Sequence, residues 1–295
     1  MKMKMKMKTL KNIIAPLLSI TLLLSLSACG AVNTAPAATP TPTPTATATP
    51  EATPTPTPTP EPEEPVELLI SAAASLKDAI ADIQTAYSAV KPHVTLTANF
   101  GSSGALQQQI EQGAEVDVFI SAATKQMDAL KDKELIINET RKDFLENQIV
   151  LIVPKGTTAV ASFDDLIKDE VKSVALGEPA SVPVGQYAEE ALTSLGLLDK
   201  LKANETIVYG KDVKAVLAWV ETGEADAGIV YKTDAIISDK VDIVAPAPEG
   251  SVKPVYYPAA VIKASKQTEA ATDFVNFLYS DEAKPIFEKY GFVFR

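Results

Sequence analysis

The turn Gly101-Ser102-Ser103-Gly104 breaks the chain between a strand-like run, His93–Phe100, and the helical run LQQQIEQG that starts at Leu106. A second turn, AAASL at 72–76, sets Ser75 just ahead of the helical LKDAI. Serine hydroxyls at such places have two uses. They cap the helix by satisfying a free backbone N–H, or they join the helix N-terminus, where unpaired N–H groups and a partial positive charge collect, in donating to an anion. Two further turns, GEPASVPVGQY (177–187) and YGKDVKAV (209–216), also run from strand into helix and offer backbone N–H groups. Gly228-Ile229-Val230-Tyr231 ends a strand with a phenol, which serves either packing or donation into a cleft.

Other chemistries find less support. A nucleophile elbow needs Gly-x-Ser-x-Gly, and the run from Gly101 has Ala105 in the last place. The only histidine, His93, stands at a strand start, so a serine triad lacks its base. Transition-metal sites draw on several imidazoles or thiolates, and the chain has one histidine and one cysteine. The many Asp and Glu residues spread like solvated helix faces, and Asp117 and Asp226, near strand starts, read as local hydrogen-bonding residues. GSSGAL lacks the Lys-Ser/Thr end of a nucleotide-binding loop. The expectation is a protein that is not an enzyme and carries no cofactor.

The elements that must position these turns alternate. Val66–Ser71, His93–Phe100 and Val116–Ile120 read as strands, each followed by a helical stretch; Leu76–Val90, with apolar residues at 76, 79, 80, 83 and 87, is the clearest. A second set follows: strands at 173–176, 206–208 and 225–230, helices at 184–195 and 213–221. Such alternation predicts an α/β class with mostly parallel sheets flanked by helices, and the carboxyl ends of the strands form the usual ligand crevice. QIVLIV (148–153) and the run from Tyr256 read as crossings between two lobes. The expected division is lobe 1 over 66–149, lobe 2 over 150–254, and a return to lobe 1 over 255–295.

Ahead of the fold, a basic start precedes an apolar run from Ile13 to Leu26, too short and too early for an ordinary spanning helix; residues 1–28 read as a secretion signal. Leu26-Ser27-Ala28-Cys29 resembles a bacterial lipobox, which implies lipidation of Cys29. Residues 29–65, nearly all Ala, Thr, Pro and late Glu, read as an extended tether. The formal net charge of −11 makes nucleic acid and anionic lipid poor partners.

The motifs AAASL (72–76), NFGSSGALQQQIEQGAEVDVFISA (99–122), GEPASVPVGQYAEEAL (177–192), KDVKAVLAWVETGEADAGIVY (211–231) and the YPAAVI…FEKYGF ending resemble the extracytoplasmic molybdate-binding proteins of ABC-type molybdate importers. The likeness covers nearly everything after the tether. It implies a two-lobed periplasmic-binding-protein-like fold with molybdate or tungstate in the interlobe cleft, a membrane permease as partner, and a monomer at the outer face of the cell membrane. It also implies a ligand set: hydroxyls and N–H groups of Ser75 and Ser103 from lobe 1, and from lobe 2 the backbone N–H of Val184 and Val213 and the phenol of Tyr231. Val184 departs from the alanine expected there. Other readings stay open at this point: a receptor for another tetrahedral oxyanion such as sulfate, a serine hydrolase, or a structural lipoprotein whose turn serines are only caps.

Overall fold

A computed structural model describes residues 64–295; the leader, Cys29 and nearly all of the tether lie outside the described residues. β1 (Val66–Ala73) passes through a short 3-10 turn, Ala74–Leu76, into α1 (Lys77–Val90). That helix buries Ala79, Ile80, Ile83 and Tyr87, whose three-and-four spacing gathers them on one stripe. β2 (Val94–Gly101) leads to α2 (Ser103–Glu111), and β3 (Val118–Ile120) to α3 (Thr124–Asp132). β4 (Lys142–Asn147) and β5 (Ile149–Pro154) follow with Gln148 alone between them. Then come β6 (Val174–Gly177), α4 (Pro183–Ser194), α5 (Leu198–Ala203), β7 (Ile207–Gly210), α6 (Val213–Glu221), β8 (Ala227–Tyr231), α7 (Lys232–Ala235) and β9 (Val241–Pro246). β10 (Val255–Val261), α8 (Thr268–Leu278), α9 (Lys284–Lys289) and β11 (Val293–Phe294) complete the order.

The strands form two sheets, β11-β4-β10-β3-β1-β2 and β7-β6-β8-β5-β9, so the fold is the expected two-lobed α/β arrangement. Pairing is mixed rather than mostly parallel. β1 runs parallel to β2 and β3, and β6 to β7 and β8, where a helix connects successive strands. β4, β5, β9, β10 and β11 pair antiparallel. These include the strands that carry the chain out of one sheet and back; with no crossover helix to set their direction, they are free to run against their neighbours.

The last residues of β1, β2 and β8, from both sheets, border one cavity, and the turns that leave the parallel strands are tightly packed. At Gly185, in the first turn of α4, a Cβ would stand 2.0 Å from the carbonyl oxygen of Gly177 at the end of β6. Only glycine lets that helix start so close to its strand.

Candidate functional site

Ser75, Ser103, Val184, Val213 and Tyr231 all line one cavity, together with Ser102, Ala122, Pro183 and Asp212; no lysine or arginine is among the lining residues. Three come from helix starts. Ser103 is the first residue of α2 and Val213 the first of α6; Val184 follows Pro183, the first residue of α4. N–H groups in a first helical turn have no intrahelical acceptor, and at Val184 the preceding proline has no N–H at all. Tyr231 ends β8.

The hydroxyls are not helix caps. The α2 cap is Ser102, whose Oγ accepts from the Ala105 N–H at 3.4 Å. Ser103 is fully buried and its Oγ accepts from the Ala122 N–H at 2.9 Å, which leaves its own proton to donate. Ser75 lies in the 3-10 turn, α1 being preceded by Leu76 with no side-chain cap; its Oγ is 3.0 Å from the Tyr257 hydroxyl. Burial holds the Tyr231 phenol well above its ordinary value, so it keeps its proton. Its hydroxyl donates to the Ala122 carbonyl at 3.4 Å, a long bond that a ligand oxygen would have to replace.

The cavity is tight: it leaves about 10 Å³ for the centre of a water-sized sphere, near the least that holds one water. A larger hollow of about 350 Å³, bordered by Glu67, Glu115, Asp117 and Lys266, lies at the amino ends of β1 and β3. It reaches only the start of α8, at Gln267, beside three carboxylates that repel an anion, and its Asp117 carboxylate is engaged by the Leu69 N–H at 2.8 Å, so the anion chemistry belongs to the smaller space. Asp226 likewise accepts from the N–H groups of Lys172 and Ser173 at 2.7 and 2.9 Å. His93 immediately precedes β2 while Ser103 follows it, so the eight-residue strand holds them about 25 Å apart, far beyond the reach of a base and its nucleophile.

Residues 68–293 match the family of bacterial extracellular solute-binding proteins. The chain belongs to this family. Among relatives of this solute-binding protein, YvgL of Bacillus subtilis is 49% identical over 228 residues, 77% of this chain and 86% of that protein; its name describes an ABC transporter substrate-binding lipoprotein and marks that assignment as provisional. The molybdate-binding protein ModA of Haemophilus influenzae is 42% identical over 233 residues, 77% of this chain and 89% of its own. Among solved structures, the periplasmic molybdate-binding protein of Azotobacter vinelandii matches with a TM-score of 0.70 and 25% identity, over 77% of this chain and 98% of that one. Membership in an extracellular family places the solute-binding protein outside the cytoplasm.

Contacts absent from the sequence reading join the two lobes of this solute-binding protein around the cavity. The Gly104 N–H donates to the Ser181 carbonyl at 2.9 Å, and a Cβ at Gly104 would lie 2.5 Å from that oxygen. Lys214, beside Val213, reaches from α6 to Asp78 of α1 at 2.8 Å and to the buried Asp234 at 3.1 Å. Burial raises Asp234 to about 6 against the pull of Lys214. Asp212 caps α6, its Oδ1 accepting from the Ala215 N–H at 2.9 Å; its place before an apolar helical run is a sequence signal for that role. Asn147 and Tyr257, both buried, carry no comparable local signal.

Proposed function

We propose that this solute-binding protein captures molybdate, and tungstate with it, and hands the ion to the membrane permease of an ABC importer. In this reading Ser75, Ser103 and Tyr231 donate through hydroxyls, and Val184 and Val213 through backbone N–H groups. The observation that carries it is the state of the two serines. Neither is a helix cap, and both face a cavity shared with helix N-termini and no cationic side chain. The Asp212 carboxylate at the edge of the cavity is engaged by the Ala215 N–H of its own helix, and the remaining polar groups are donors, which suits a fully deprotonated tetrahedral dianion, whose oxygens all accept. The names of the relatives agree with it. No cofactor takes part, and the protein acts as a monomer.

Capture requires the two sides of so tight a cavity to part and close again around the ion. The same tightness supports a second reading, a receptor for the smaller sulfate. A thermal-shift screen with molybdate, tungstate, sulfate, phosphate and zinc is the test, because a ligand that binds only the folded state raises its melting temperature. Molybdate and tungstate should raise it most and phosphate least. A response to zinc alone would overturn the reading.

The lobes divide in this reading as 66–149 with 255–295, and 150–254. Removal of residues 1–28 would leave Cys29 as a lipidated first residue, with 29–65 as a tether on the outer face of the membrane. A multiply acylated cysteine anchors stably where one chain does not. Cys29→Ser should abolish incorporation of labelled fatty acid and release the protein from membranes; a variant that stays labelled and membrane-bound refutes the anchor.

A further inference from the structure

Asn147 is the last residue of β4, at the point where the chain leaves the first sheet. Its Oδ1 accepts from the Gln148 N–H at 2.8 Å. A backbone N–H can only donate, so this bond fixes which end of the amide is oxygen. The Nδ2 group then spends its two protons on Thr233 Oγ1, at 2.9 Å, and on the Tyr257 hydroxyl oxygen, at 3.1 Å. Tyr257 in turn stands 3.0 Å from Ser75 Oγ, a distance at which either hydroxyl could donate.

The amide decides between them. If Tyr257 accepted from both Asn147 and Ser75, neither bond would use the phenol's own proton. Buried donors are rarely left without an acceptor. If Tyr257 donates to Ser75, the phenol's proton is satisfied inside the core, and the proton left over is that of Ser75, which lines the cavity and can be met there by a bound ion or water. Tyr257 is fully buried, and burial keeps its phenol protonated far above neutral pH.

We propose that Asn147 and Tyr257 are positioning residues that lock the Ser75 hydroxyl as a donor into the cavity, so that preference for a fully deprotonated oxyanion over a protonated one is set partly by residues that never touch the ion. This inference rests on the reading of the cavity as an oxyanion site. A Ser75 free to rotate could offer a lone pair instead, and monohydrogen phosphate, which carries a proton needing an acceptor, would then meet a partner.

The test is a double-mutant cycle read by calorimetry with molybdate and with phosphate. Tyr257→Phe keeps the ring and removes the relay; it should weaken molybdate about tenfold, the scale of one hydrogen bond to a charged group, while phosphate binding holds or improves. In a Ser75→Ala background the same change should cost molybdate nothing further, since the relay then has nothing to orient. Asn147→Asp is the second variant. It is isosteric, keeps the Gln148 bond, and reverses the polarity toward Tyr257 and Thr233, so it should narrow the molybdate-to-phosphate ratio further, and most of that narrowing should vanish without the Ser75 hydroxyl. Equal losses for both ions, or the same loss with and without Ser75, would mean that Tyr257 and Asn147 only pack, and would overturn the relay while wild-type molybdate binding still stood. A wild-type chain that binds neither ion would overturn the relay and the molybdate reading together.

Discussion

The two walls of the cavity are made differently. The first-sheet wall presents Ser75 and Ser103, side chains whose oxygens are tied to Tyr257 and to the Ala122 N–H. The second-sheet wall presents the starts of α4 and α6, where Val184 and Val213 have only their backbone N–H groups to give, and Tyr231 supplies the one hydroxyl. One wall therefore depends on residue identity. The other depends on where helices begin, and an apolar side chain is no obstacle to it. A bulkier residue at position 184 is tolerable on this wall because the contact proposed there is made by the main chain.

Substitutions at the seam and on each wall break or sharpen this contrast. The largest effect is expected where the walls meet. Gly104→Ala places a Cβ where the Ser181 carbonyl stands, which should hold the lobes apart and lower molybdate affinity by about a hundredfold or more, since both walls reach the ion only when closed. Scattering measurements with ligand should show that the variant stays open. On the first wall, Ser75→Ala and Ser103→Ala should each cost about tenfold or more, the worth of a hydrogen bond to a charged group. Ser103→Ala should also lose some stability, because the buried Ala122 N–H is left unpaired.

The second wall calls for a backbone test. Val213→Pro removes the N–H at the first helical position, a place where proline is well accepted, and Asp212 before it is already extended. It should fold and lose about tenfold in affinity, whereas Val213→Ala, which keeps the N–H, should bind nearly as the wild type does. If the two variants bind alike, the backbone account of this wall fails. The smallest effect concerns stability alone. Asp234 is raised to about 6 by burial, so the folded state holds a proton that the unfolded chain, near 3.8, has released. The stability this confers is complete at low pH and is lost as pH rises through 6. Between pH 7.5 and pH 5 it should add on the order of 1 kcal/mol. Denaturant titrations should show that slope, and Asp234→Asn should flatten it.

The same contrast explains what was legible in the sequence. α1 and α6 announce themselves by apolar spacing, and β5 by an unbroken apolar run. β4 does not, because KDFLEN exposes its first residues and mixes charge with Phe144 and Leu145. The antiparallel pairing was hidden because strand direction is decided by partners far along the chain, as β10 is by β3 and β4. At the site, the serine turns were visible, but whether their hydroxyls cap helices or face a cavity depends on where α1 and α2 start, a matter of one residue. Val184 and Val213 have no side-chain signature for a backbone contact, so only the resemblance brought them forward. Asn147 and Tyr257 meet across 110 positions, and no local pattern links them.

Competitive titration calorimetry at constant ionic strength, with molybdate displaced by sulfate and then by phosphate, tests the central claim most directly. Closed on the ion, a cavity whose free groups are donors should bind molybdate tightly, sulfate weakly because its shorter bonds leave some donors out of hydrogen-bond range, and phosphate least because its proton meets no acceptor. Equal affinities for molybdate and sulfate would contradict selection by size, and phosphate binding as tight as molybdate would contradict the donor-only site itself.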